Sequence, residues 1–221
     1  MIDLHTHTFA SDGVLGPAEL AHRAEVAGLA ALAFTDHADA SNLERLVREA
    51  AGFVRETQPY LRIRLLAGVE LTHVPPGQIP DLVRRARRAG AVLVVVHGET
   101  IVEPVAPGTN RAAIEAGADI LAHPGLISLE EARLAAAKGV LLEVSTRPSH
   151  GVANGHVVRV ARESGAGLVI DSDAHGPSDI LEAGWRRRVA LGAGLADADL
   201  ERVDRTMAAL VERLAPTLRV T

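Results

Sequence analysis

Short aliphatic runs alternate with longer amphipathic stretches from one end of the chain to the other. The runs near 2–5, 31–35, 63–69, 92–96, 119–122, 140–144 and 168–171 are rich in Val, Ile, Leu and Ala and predict seven strands. Between them, stretches near 17–27, 41–57, 78–89, 109–116, 128–138, 154–164 and 178–190 carry helical spacing, and a last one covers 197–214. Local signals agree with these starts: Pro17 suits a first helical turn, Ser41 precedes a helix pattern, and Ser128 with Glu131 fits a capping box. Gly28, Gly90, Gly117, Gly139 and Gly165 each fall between a helix pattern and the next strand, where a left-handed residue ends a helix. Pro75-Pro76-Gly77 and the stretch from Pro104 to Gly108 mark loops, and no low-complexity linker breaks the rhythm. Parallel strands with crossover helices follow, closing into a single seven-stranded βα barrel. Leu200, Val203, Met207, Leu210 and Leu214 share one face of the last helix, which predicts barrel closure, with an oligomer interface as the alternative.

Composition narrows the setting of this barrel. With 221 residues, 48% of them hydrophobic, the chain can bury one substantial core, and its length favours one domain over two. There is no cysteine, so disulfides, iron–sulfur ligation and thiolate zinc sites are excluded and His and carboxylate are left as metal ligands. The first strand pattern begins at residue 2, and no apolar run approaches the roughly 18 residues of a membrane span. A cytoplasmic protein with no membrane partner is the expectation. The net charge of −5 and 2% aromatic content argue against strong nucleic-acid binding, leaving a short or single-stranded substrate as the exception. Arg84-Arg85-Ala86-Arg87-Arg88 and Arg186-Arg187-Arg188 lie in helix patterns and read as solvated faces.

Candidate chemistry sits at the predicted strand ends. His5 and His7 are two apart, so in an extended segment both imidazoles face one point, and Asp173 and His175 repeat that spacing. His37, His97 and His123 each end a short apolar run, as Glu70 does after Arg64-Leu-Leu-Ala-Gly-Val. In parallel βα folds the chemistry gathers at the strand C-terminal ends, so these side chains converge. So many buried imidazoles and carboxylates would be costly to desolvate without a metal to bind. His22, His73 and His156 stand outside this pattern and read as surface or structural residues.

His5-Thr-His7, Ser11-Asp12-Gly13, Thr35-Asp36-His37, Gly68-Val69-Glu70, His97, Ala122-His123-Pro124 and Asp171-Ser-Asp173-Ala-His175 together resemble the four motifs of the PHP (polymerase and histidinol phosphatase) superfamily. The similarity spans residues 2 to 175, and its joint spacing is specific although each motif alone is weak. The resemblance implies a distorted (β/α)7 TIM-like barrel, a single PHP-type domain over 1–221 with metal motifs in 5–175 and C-terminal helices in 178–214. It also implies two or three divalent ions, of Zn, Mn or Fe. Carried over position by position, it puts one metal on His5, His7, Glu70 and Asp173, a second on Glu70, His97 and His123, and a third on Asp12, His37 and His175. All nine positions hold a competent ligand.

Three carboxylates against three divalent ions leave roughly +3 in such a pocket, which favours an anionic substrate. A small phosphomonoester suits that charge. The expected mechanism is in-line attack on phosphorus by a hydroxide bridging the first two metals, with the third metal and a positive side chain holding the phosphoryl oxygens. Arg147, just past the sixth predicted strand, is the candidate for that side chain, and the family resemblance supports a phosphate-binding Arg there. The competing reading pairs Arg147 with Glu143 or leaves it in solvent. His150, Asn154 and Glu99 are weaker candidates for substrate or supporting roles. Histidinol phosphate, and so histidine biosynthesis, is the first expectation for the substrate. A nucleotide 3′-phosphate, a short oligonucleotide in a nuclease or proofreading role, and a non-phosphate metallohydrolase are the alternatives. A non-catalytic metal-binding or regulatory protein is the reading from outside enzymology.

Overall fold

The computed structural model describes residues 1–214. The strands are β1 (Ile2–Asp3), β2 (Ala31–Phe34), β3 (His37–Ala38), β4 (Arg64–Leu71), β5 (Leu93–His97), β6 (Ile120–Ala122), β7 (Leu141–Ser145) and β8 (Leu168–Asp171). All pair in parallel, in the order β1-β2-β4-β5-β6-β7-β8, and β3 pairs with β4 beyond β2. Arg64 to Ala67 of β4 face β2, and Glu70 and Leu71 face β3, so β2 and β3 are two segments of one path, interrupted at Thr35 and Asp36. Seven positions around a nearly closed barrel result. Sequence patterning missed β3 because a two-residue strand carries no period.

The seam between β1 and β8 closes mainly through side chains. The Leu4 amide donates to Asp171 Oδ1 at 2.7 Å, and Ser172 donates its amide and hydroxyl to Asp3 at 3.1 and 2.6 Å. One parallel bridge, Thr6 to Ala174, completes it, with the His7 amide on the Ala174 carbonyl at 2.9 Å. For that reason β1 ends at Asp3, short of the predicted residue 5.

Helices α1 (Pro17–Val26), α2 (Leu43–Thr57), α3 (Ile79–Ala89), α4 (Thr109–Ala116), α5 (Leu129–Lys138) and α6 (Asn154–Ser164) follow their expected places. The Ser128–Glu131 capping box is formed at α5. Ser41 does not cap α2; its hydroxyl and amide bind the Asp39 carboxylate in the turn that follows β3. The helix expected over 178–190 is α7 (Ala183–Gly192), which starts later. Asp179 turns back to accept the His175 and Gly176 amides, and Glu182 caps the later start by accepting from Gly184 and Trp185.

Along β5, Leu93 and Val95 face the barrel interior while Val94 and Val96 pack outward against α3 and α4. His97 continues the inward set, and Glu70 pairs beside Val95. The last helix, α8 (Asp197–Leu214), buries Val203, Met207, Leu210 and Val211 against the interior cluster. Arg64 at the start of β4 meets Glu212 at 2.9 Å, and Arg213 meets Asp119 at 3.3 Å before β6, which places α8 across the N-terminal end of the barrel. The opposite, C-terminal end is left for chemistry. The arginine runs are engaged rather than free: Arg85 with Glu44, Arg187 with Asp197, and Arg188 over the Trp185 ring. Arg186 departs from the solvated-face reading, because it is buried against Asp204. No helix among the described residues is long and apolar enough to cross a membrane.

Candidate metal centre

All nine ligand-type side chains expected from the strand ends and the motifs meet at the C-terminal end of the barrel, and six of them, Asp12, His37, His97, His123, Asp173 and His175, line a cavity of about 470 Å³. Glu70 is the hub. Its Oε1 lies 3.4 Å from His5 Nε2 and 3.9 Å from His123 Nε2, and its Oε2 lies 2.5 Å from His37 Nδ1 and 3.9 Å from His7 Nε2. Asp173 Oδ1 sits 3.1 Å from His7 Nε2 and 3.7 Å from His5 Nε2. Asp12 Oδ1 lies between His37 Nε2 at 3.3 Å and His175 Nε2 at 3.2 Å. The His97 and His123 rings stand edge to face, 4.5 Å apart.

Local structure explains these placements. Thr8 and Ser11 donate to the Asp36 carboxylate, so Asp36 fastens the loop that presents Asp12. Gly13 permits that loop because a Cβ there would stand 2.4 Å from the His7 carbonyl oxygen. Asn42 donates to the His37 carbonyl at 3.1 Å and holds the turn behind it. His123 and Asp173 take positive φ angles of 28° and 52°, values that non-glycine residues adopt at a cost and that gather at functional sites.

The donor set fits divalent ions. His5 Nε2, both nitrogens of His7, Glu70 Oε1 and His123 Nδ1 are buried without any hydrogen-bond partner, an expensive arrangement for polar atoms unless something else binds them. His5 gives its Nδ1–H to Glu143 Oε1 at 2.7 Å, which fixes the tautomer and leaves Nε2 directed at Glu70 and Asp173. Nitrogen and oxygen donors of this kind suit Zn, Mn or Fe.

A PHP domain family model matches residues 3–103. Uncharacterized protein MJ1295 of Methanocaldococcus jannaschii is 45% identical over 201 residues, covering 90% of this chain and 92% of its own length. The chain belongs to the PHP domain family. A 5′-3′ exoribonuclease of Haemophilus influenzae is 41% identical over 70 residues, 32% of this chain and 23% of that protein. Among solved structures, a chain of archaeal ribonuclease P with mature tRNA superposes with TM-score 0.73 at 18% identity, covering 100% of this chain and 94% of its own. Histidinol phosphate phosphatase from Lactococcus lactis, complexed with zinc, L-histidinol and phosphate, gives TM-score 0.60 at 17% identity over 88% of this chain and 94% of its own. At such identities the structural likeness speaks for the fold. At its coarse level, the class of this PHP-family member is a metal-dependent hydrolase.

Charge in this PHP centre is strongly organised. Burial alone would raise Glu70 and Asp173, yet the neighbouring imidazoles, His5 foremost, hold both carboxyls far below the usual range. Burial pushes His7 down to about 4 and His123 well below its ordinary value, so both offer neutral lone pairs at pH 7. Burial also opposes protonation of His5, but Glu143, Glu70 and Asp173 outweigh it and raise that group well above its ordinary value.

Arg147 lines the cavity, donates to the Asp173 carbonyl at 2.9 Å and lies against the His175 ring. It does not pair with Glu143, whose Oε2 instead accepts the His123 amide at 2.9 Å. His150 stacks on His123 with centroids 4.1 Å apart, and Thr100 meets its Nδ1 at 3.0 Å. The other weak candidates serve the backbone. Glu99 accepts from the Gly108 and Asn110 amides, and Asn154 closes on both backbone groups of Ser145. His156 Nε2 meets the Ile127 carbonyl at 2.8 Å, and His22 is exposed on α1. His73 is exposed, as expected, and it also lines the cavity, at φ 51°, with its Nε2 3.1 Å from Glu103. Sequence reasoning also missed Glu143 and Glu103. A carboxylate inside the apolar strand β7 was a usable signal for the first, and Glu103 offered none.

Proposed function

We propose that this PHP-family protein hydrolyses a small phosphomonoester, with histidinol phosphate as the leading substrate and histidine biosynthesis as the setting. The observation that carries the reading is the set of orphaned imidazole and carboxylate atoms clustered with His123 and Asp173, which line the cavity together with one guanidinium. His5, His7, Glu70 and Asp173 would hold one ion, Glu70, His97 and His123 a second, and Asp12, His37 and His175 a third. Bound there, the ions would supply a water with its pKa lowered toward about 7 and an electrophilic anchor for phosphoryl oxygens.

The chain's own residues account for the rest. Glu143 orients His5 and, through the His123 amide, steadies the loop opposite. Among the described residues, Arg147 is the only Lys or Arg lining the cavity, and its planar guanidinium can take two phosphoryl oxygens. His150 offers Nε2 from a wall fixed by Thr100, 3.8 Å from Asp173, a position suited to the ester oxygen or a phosphoryl oxygen. Carboxylates at Asp12, Asp39 and Glu103 surround the mouth, so one phosphoryl group fits better than a polyanionic strand.

The likeness to the exoribonuclease favours one second reading, a nucleotide 3′-phosphate or a short oligonucleotide end. Phosphate release from histidinol phosphate, nucleotide 3′- and 5′-phosphates and an aryl phosphate, by metal-stripped protein reloaded with Mn, Zn or Fe, separates the two. Turnover of histidinol phosphate that His97→Ala abolishes is the expected result. Preference for the nucleotide esters would transfer the assignment to the second reading, and silence across the panel with ions bound would end both.

A further inference from the structure

His97 stands where two sets of ligands meet. Its Nδ1–H faces the Gly98 carbonyl at 3.1 Å, which leaves the Nε2 lone pair for a metal. Glu103 Oε2 lies 3.1 Å from that nitrogen and 3.1 Å from His73 Nε2. The ligand atoms of His73, His97 and Glu103 all fall within 4.8 Å of one another, and none of the nine family positions includes His73 or Glu103. The loop that brings Glu103 is anchored at its base, because Glu99 ties it to the start of α4 and Thr100 ties it to His150. Two imidazoles and a carboxylate form a donor set that a hydrated first-row divalent ion accepts.

Exposure falls stepwise along these side chains, from 46% at His73 to 35% at Glu103 and 4% at His97. The three therefore span the distance from solvent to the buried centre. His97 Nε2 has one lone pair, so it cannot bind an ion on the Glu103 side and another on the Glu70–His123 side together. We propose that His73, Glu103 and His97 form a staging site at the mouth, where an incoming divalent ion exchanges part of its water shell before it passes to the inner position. The inference rests on the metal-centre reading above.

A residue used only on the path leaves the end state unchanged, so its removal slows entry and exit alike and spares the affinity. Removal of a resident ligand does the reverse: exit quickens and affinity falls. The test mixes the metal-stripped full chain with Co²⁺, follows the ligand-field absorbance, and then chases with a chelator. Glu103→Gln and His73→Asn are compared with wild type, asparagine being chosen because it tolerates the positive φ of His73. Uptake and release should each slow about tenfold, a barrier higher by about 1.4 kcal/mol in both directions, with ions per chain and Kd unchanged. Unchanged rates in both variants overturn the staging site, and so does faster release with weakened affinity. If wild type takes up no ion, the metal-centre reading falls with it; if wild type loads normally and the variants match it, only the staging site falls.

Discussion

Replacing Glu143 by glutamine tests how far the centre depends on a residue outside the nine expected ligands. Glu143 is buried and accepts twice, from His5 Nδ1–H at 2.7 Å and from the His123 amide at 2.9 Å. Glutamine has one oxygen and one NH₂ in the same space. If the oxygen faces His5, the NH₂ opposes the His123 N–H, donor against donor. If the amide flips, His5 must accept at Nδ1, its proton moves to Nε2, and the atom directed at Glu70 and Asp173 no longer has a lone pair. Either outcome costs about 1.4–2.8 kcal/mol, equivalent to the 10–100-fold loss of metal affinity that such supporting groups usually carry. Competition with a chromophoric chelator at fixed pH gives the affinity, and circular dichroism checks the fold. A Glu143→Gln variant that folds normally and binds its ions as tightly as wild type would refute this reasoning.

Arg147→Met should lower kcat/KM for the phosphomonoester about 100-fold and raise the Ki of inorganic phosphate, with Arg147→Lys recovering only part; an unchanged Ki would remove Arg147 from phosphate binding. Because Glu143, Glu70 and Asp173 outweigh burial and keep His5 protonated, ion uptake near pH 7 should release about one proton at this residue. Affinity should therefore rise with pH until His5 titrates, and a pH indicator in weak buffer reads this directly; uptake without proton release would contradict it. Asp3 is pushed up to about 6 by burial, so its contribution to stability is present at low pH and is lost as pH rises through that value. Relative to wild type, metal-stripped Asp3→Asn should gain about 1.4 kcal/mol between pH 5 and pH 8 in urea unfolding, and parallel pH curves would show the attribution to be wrong.

The barrel was legible because its period is simple: apolar runs ending at His97, Glu70 and His123 place those residues at strand ends whatever the detail of the sheet. His5 and His7 were legible for the same reason, two residues apart in an extended segment. Asp12 was reached only through resemblance, since it lies on an exposed loop and is placed by a distant Asp36 that holds Thr8 and Ser11. His73 and Glu103 come from loops without any period, and their meeting depends on anchors such as Glu99 and on a left-handed residue, neither visible locally. The late start of α7 has a similar cause: Asp179 and Glu182 each had alternative backbone partners that helical spacing does not reveal. Glu143 could have been read. A charge in the middle of a buried strand needs buried partners, and Glu143 has them in the His5 ring and the His123 amide.

Ions held by the nine converging side chains should engage a phosphoryl group beside Arg147. Anomalous diffraction from crystals loaded with Mn²⁺ or Zn²⁺ and soaked in phosphate tests this most directly. Ion peaks should appear between these side chains, with phosphate contacting both an ion and the Arg147 guanidinium. Ions bound elsewhere, or phosphate held away from the cavity, would contradict it.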